Sequence, residues 1–127
     1  MKVYSGVLLK ESLKELDVLA DIQVVEISTQ EETNPTAEQA RIWTWYRIQV
    51  AEEKLQSISE RLSSALKERA WYTNLWTEGD YLLIFPNRIF RGSSVDDPVW
   101  SKAIEYGTSI GVPLAQLTPI EHVLHTR

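Results

Sequence analysis

The sequence predicts a two-layer α+β fold, a mostly antiparallel sheet with helices on one face. Three stretches predict it. Residues 41–50 alternate aromatic and branched residues with period two, which is the pattern of a strand. Leu55, Ile58, Leu62 and Leu66 recur at helical spacing within 52–69. Residues 71–77 and 80–86 flank Glu78-Gly79, the signature of a hairpin.

Taken in order, residues 2–9 are apolar and β-prone and read as a first strand. Ser12-Leu13-Lys14-Glu15 fits a capping box, so a short helix carrying Leu13, Leu16 and Leu19 is expected next. Residues 22–28 form a second strand through Val24, Val25 and Ile27. The stretch 29–40 is polar, lacks periodicity and reads as an exposed loop before the strand 41–50. Glu52 and Glu53 then sit where the positive end of the 52–69 helix favours anions. Pro86 ends the strand 80–86 or places it on an edge, and Ile89-Phe90 resumes pairing. Asp97-Pro98 supplies an N-cap and a first helical proline for a helix to about 110, closed by Gly111 with Pro113 beyond it. Thr118-Pro119-Ile120-Glu121 predicts a short terminal helix. The order is β-α-β-β-α-β-β-α, and its first six elements match the split βαβ arrangement of ferredoxin-like domains.

A chain of 127 residues supports a single domain, 1–127. With no cysteine it has no disulfide scaffold, thiolate metal site or thiol nucleophile. Its 13 basic and 18 acidic residues give a net charge of −5, a poor match for nucleic acid or an anionic membrane surface. Residues 106–120 carry no charge but contain Gly107, Gly111, Pro113 and Pro119, so no membrane helix is expected. The apolar stretch 3–9 is too short and too interrupted for a secretory signal. The expectation is a cytoplasmic protein that needs no cofactor.

Signatures for nucleotide, serine-hydrolase and zinc-protease chemistry are absent. His122 and His125 share a helical face, but they read as polar residues of a terminal helix and not as metal ligands. The adjacent acids Asp96-Asp97 and Glu52-Glu53 are explained by helix starts. Ser57, Ser59, Ser63 and Ser64 read as the polar face of the 52–69 helix.

The strand 41–50 carries the candidate site. Alternation puts Ile42, Thr44, Tyr46, Ile48 and Val50 under the helices, and Arg41, Trp43, Trp45, Arg47 and Gln49 on the opposite face. A sheet face away from the helices is solvated, covered, or used for binding. Tryptophan and arginine are the residues enriched at interface hot spots. Trp76 alternates with Tyr72 and Asn74 on a later strand and extends the patch if the register allows, with Arg88 or Arg91 at its rim.

Three readings compete for the patch. It is covered within the chain by the C-terminal segment, buried in a homodimer, or open as a ligand pocket. The leading expectation is a non-catalytic interaction module that forms a homo-oligomer, a dimer, through this face. The alternative is a small enzyme or sensor in which Trp43, Trp45 and Trp76 line a pocket and Arg41 or Arg47 orients a small anionic ligand.

From residue 71 onward, Trp71-Tyr72, Ile84-Phe85-Pro86-Asn87-Arg88-Ile89-Phe90, Tyr106-Gly107-Thr108-Ser109-Ile110-Gly111-Val112-Pro113 and Gln116-Leu117 carry a resemblance. Through them the last two-fifths of the chain resembles a family of short prokaryotic proteins of no known function. The resemblance implies a small cytoplasmic domain and brings no catalytic residues.

Overall fold

The structure is a computed structural model, and it describes residues 2–31, 42–67, 71–93 and 98–112. Six strands, β1 (Val3–Leu9), β2 (Gln23–Glu31), β3 (Ile42–Ala51), β4 (Thr73–Thr77), β5 (Asp80–Phe85) and β6 (Arg88–Gly92), form one sheet in the order β2-β3-β1-β4-β5-β6. Every neighbouring pair is antiparallel. Two α-helices pack on it, α1 (Leu55–Ala65) and α2 (Val99–Ser109).

The predicted first helix does not form. Residues Lys10–Ser12 and Asp17–Asp21 are separate 3-10 turns. The Ser12 hydroxyl donates back to the Leu9 carbonyl at 2.5 Å instead of capping a helix. Leu13 forms an isolated bridge with Leu66, reinforced by Lys14 N–H to the Ala65 carbonyl and Lys67 N–H to the Ser12 carbonyl, both 2.7 Å. This pairing satisfies the backbone and buries both leucines, so tertiary contact overrides the local capping signal. It also ends α1 at Ala65, short of the predicted residue 69, because Leu66 is already extended.

The turns follow their sequence signals. Gly79 takes φ +77° between β4 and β5. Pro86-Asn87 joins β5 to β6 with Asn87 at φ +64°, the conformation a type II turn demands of its third residue. Thus 88–92 is a full strand, one more than the predicted order contains. At the end of α2, Val112 N–H bonds the Gly107 carbonyl (3.0 Å) and Gly111 N–H the Thr108 carbonyl (3.1 Å), with Gly111 at φ +101°. That is a Schellman motif, with the buried Val112 as its apolar contact.

The helices lie on opposite faces, which corrects the expectation of one helical face. Leu55, Ile58 and Leu62 of α1 join Tyr4, Leu8, Ile48, Leu75, Leu82 and Ile84 in one core. Trp100 and Ala103 of α2 join Tyr81, Leu83, Phe85 and Phe90 in a second. Strand β5 serves both, sending Leu82 and Ile84 to α1 and the alternate residues to α2. Its unbroken apolar run requires this, since a strand facing water on one side would alternate with polar residues. Ser59 and Ser63 are buried rather than solvated, and the Ser63 hydroxyl donates to the Phe85 carbonyl at 2.7 Å. No helix among the described residues is long and apolar enough to cross a membrane.

Candidate functional site: the helix-free half of the sheet

Because α2 covers only the β4-β5-β6 half of the face opposite α1, the β2-β3-β1 half carries no helix among the described residues. Register decides which side chains meet there. Val7 pairs with Arg47 on one side and with Asn74 on the other; Ser5 likewise stands between Gln49 and Trp76. Period-two alternation therefore puts Trp45, Arg47, Gln49, Ser5, Asn74 and Trp76 on one face.

A groove of about 270 Å³ runs between Arg47, Gln49, Ser5 and Trp76. Val25 closes its β2 side. It is the extra residue of an irregularity in β2, where Val24 pairs with Ile48 and Glu26 with Arg47. The Arg47 side chain is 68% exposed, and its nearest carboxylate, Glu26, stands at 3.7 Å. So open a pair contributes little to stability, which leaves the guanidinium available to another acceptor.

The five predicted residues divide. Trp45, Arg47 and Trp76 come together on this face. Trp43 lies beyond the last β1 partner, since Leu9 pairs with Trp45, and its ring is only 7% exposed. It meets Trp45 edge-on at 5.6 Å and Trp71 at 6.4 Å, and so serves the core, not the surface. Arg41 lies outside the described residues, as do His122, His125, Asp96, Asp97 and the predicted terminal helix.

Trp76 is half-buried and stacks on Tyr81 at 6.4 Å and 15°, which joins the open half of the face to the α2 core. Tyr72 belongs to that core, against Phe85, and burial pushes its phenol far above its ordinary pKa. Neither arginine expected at the rim is there. Arg88 lies 5.0 Å over the Phe90 ring, and Arg91, which pairs with Leu82 on the α1 face, forms a two-pronged pair with Asp80 on the opposite side of the sheet. Two buried polar atoms on the candidate face, the Trp45 indole N–H and Asn74 Oδ1, have no hydrogen-bond partner among the described residues.

Sequence reasoning did not single out Ser5 or Val25. Ser5 was signalled by alternation along β1, whereas the position of Val25 depends on a bulge that no local pattern announces. A larger cleft, about 620 Å³, lies between the 3-10 turn at Asp17–Asp21 and α1. Its walls mix Lys14 and Arg61 with Glu15, Asp17 and Glu60, and Arg61 is already paired with Asp21. Among the described residues no His, Cys, Asp and Glu cluster suits a metal ion. In comparisons with protein-family models, curated proteins and solved structures, nothing matches the chain.

Proposed function

We propose that the chain is a non-catalytic, cytoplasmic interaction module that self-associates through the helix-free half of its sheet. One observation carries the reading. The β2-β3-β1 half has no helix over its outer face among the described residues, yet it presents Trp45, Arg47 and the groove reaching Trp76. Tryptophan and arginine on an uncovered sheet face are the composition of a contact surface. The mixed-charge walls of the larger cleft offer no comparable apolar anchor.

The strand interleaving supports a ferredoxin-like reading of the first four strands, with 3-10 turns in place of its first helix: β3 lies between β1 and β2, and β1 between β3 and β4. The resemblance of residues 71 onward to short prokaryotic proteins agrees with a small module and adds no substrate.

The test is the absolute mass in solution, by light scattering on a sizing column over a hundredfold range of loading. A species of twice the 14.6 kDa chain is expected. A monomer at every loading would end the reading. Arg47 also favours a second reading, a small anionic ligand held in the groove beside Trp76. At about 270 Å³ the groove lies just below the usual range for small-molecule sites, and Glu26 competes for the guanidinium. Tryptophan fluorescence titrated with phosphate and with small carboxylates tests it, and a flat response throughout would remove it.

A further inference from the structure

The sheet has two edges, and they differ. Strand β6 is five residues long, with Arg88 and Arg91 exposed on it; charge and brevity both discourage pairing with another strand. Strand β2 runs for nine residues without lysine, arginine or proline, and between its bulge at Val25 with Glu26 and its terminal Glu31 lies an uncharged stretch, residues 27–30. Nothing among the described residues pairs with its outer side. Residues 25–29 are all exposed, and Ile27, at 63%, is the most exposed large apolar side chain described. Over that stretch the edge presents a row of outward N–H and C=O groups, and the ligand such a row fits is another strand.

The β2 sequence suits its own copy. From Glu26 to Glu31 the strand pairs with β3 without interruption, and the irregularity lies before Glu26. An antiparallel two-fold axis at Ser28 uses this regular stretch. It sets Ile27 of one copy opposite Thr29 of the other, a pair of β-branched residues, with the two Ile27 side chains as diagonal neighbours. An axis at Glu26 would set that carboxylate against itself. With the axis at Ser28, each Glu26 is displaced from its copy and keeps Arg47 beside it at 3.7 Å.

We infer that two copies join edge to edge through β2 about a two-fold axis at Ser28, so that two six-stranded sheets run on as one. The inference rests on the self-association proposed above and names where on that half of the sheet the second copy sits. An axis of this kind stands perpendicular to the sheet, so both Arg47 grooves face one side and both α1 helices the other. The surface around Trp45 and Trp76 is then left open and doubled instead of buried. A contact of this length is small beside stable interfaces, so the mass should depend on loading.

Ser28→Cys is the direct test. The chain has no cysteine of its own, so a disulfide under mild oxidant reports residue 28 against residue 28 alone. A covalent dimer is expected from Ser28→Cys and not from Gln56→Cys on the exposed side of α1. Ile27→Lys, at an exposed position that should not disturb folding, is expected to weaken the dimer at least tenfold. Gln56→Lys, on the exposed side of α1, should leave the mass unchanged. If the wild-type chain is dimeric but Ser28→Cys does not cross-link, the edge contact is wrong. A dimer dissociated by Arg47→Ala on the open face and indifferent to Ile27→Lys moves the contact to the face, overturning the inference while the self-association reading stands. A wild-type monomer at all loadings removes both.

Discussion

Asp80→Asn removes a charge that ties three strands together. In the native chain the Asp80 carboxylate accepts the Tyr4 hydroxyl from β1 and, from β6, Arg91 Nε at 2.9 Å and Nη2 at 2.5 Å. Tyr4 is 2% exposed, so its hydroxyl has no easy access to water. Arg91 is largely open, and its share must be discounted for solvent screening. One charge-assisted bond to a buried hydroxyl contributes about 1.5–3 kcal/mol, and the exposed arginine adds less than 1. Asparagine retains one acceptor but turns an N–H toward one of the two donor groups. We expect a loss of about 2 kcal/mol at pH 7.

The pH dependence gives the sharper check. Burial alone would raise the Asp80 pKa, but the bonds from Arg91 and Tyr4 outweigh it and hold the carboxyl below the ordinary aspartate value. A depressed native pKa contributes stability that is fully present above the unfolded value and lost as pH falls through the native one. The Asn variant has no such titration. The stability gap between the two proteins should therefore be constant above about pH 5 and close steadily below about pH 4. Urea unfolding at a series of pH values measures it. A gap of the same size at pH 7 and pH 2.5 would refute the argument that the native Asp80 is ionised and bound.

Two further substitutions test the packing. Gly6→Ala places a Cβ 2.4 Å from the Asn74 carbonyl oxygen and 2.7 Å from Leu75 Cδ2, so β1 and β4 must separate. A loss of about 1–3 kcal/mol is expected in urea unfolding, and an unchanged midpoint would contradict the close approach of these strands. Trp43→Ala should cost about 3–5 kcal/mol, as truncation of a buried tryptophan does, and should lower stability without selectively weakening self-association. A stable Trp43→Ala protein whose only defect is a lower mass would return this residue to the contact surface.

The strands were legible wherever their side chains alternate. Residues 41–50 show period two because β3 has a core on one face and an open surface on the other over most of its length. The mispredicted helix at Ser12-Leu13-Lys14-Glu15 fails for a non-local reason. Its competitor is Leu66, more than fifty residues away, and no window around Ser12 contains that information. The second helical layer had a local signature that was not used. Tyr81-Leu82-Leu83-Ile84-Phe85 is apolar at every position, unlike 41–50, and such a run needs cover on both faces. Read that way, it predicts a helix on each side of β5. The tryptophans show the remaining limit. Trp43 and Trp45 have the same parity and share Thr44 as a neighbour, yet one is core and the other lies on the open face. What separates them is where β1 stops pairing, which is a property of the register.

The two-sided core also explains why the candidate surface lies where it does. Burying both faces of β5 uses α1 on one side and α2 on the other, and α2 has only 11 residues, about 16 Å of helix. Its buried side chains pack with β5 and β6 and reach Trp76 of β4. Among the described residues, one helix packed over β4, β5 and β6 leaves β1, β3 and β2 without helical cover on that face. The uncovered half is thus a consequence of where the apolar run of β5 falls in the sheet order. The residues there follow from the same geometry: Arg47, Gln49 and Ser5 are polar because water reaches them, Trp76 stands where the open face passes into the α2-covered one, and Trp45 packs edge-on against the buried Trp43.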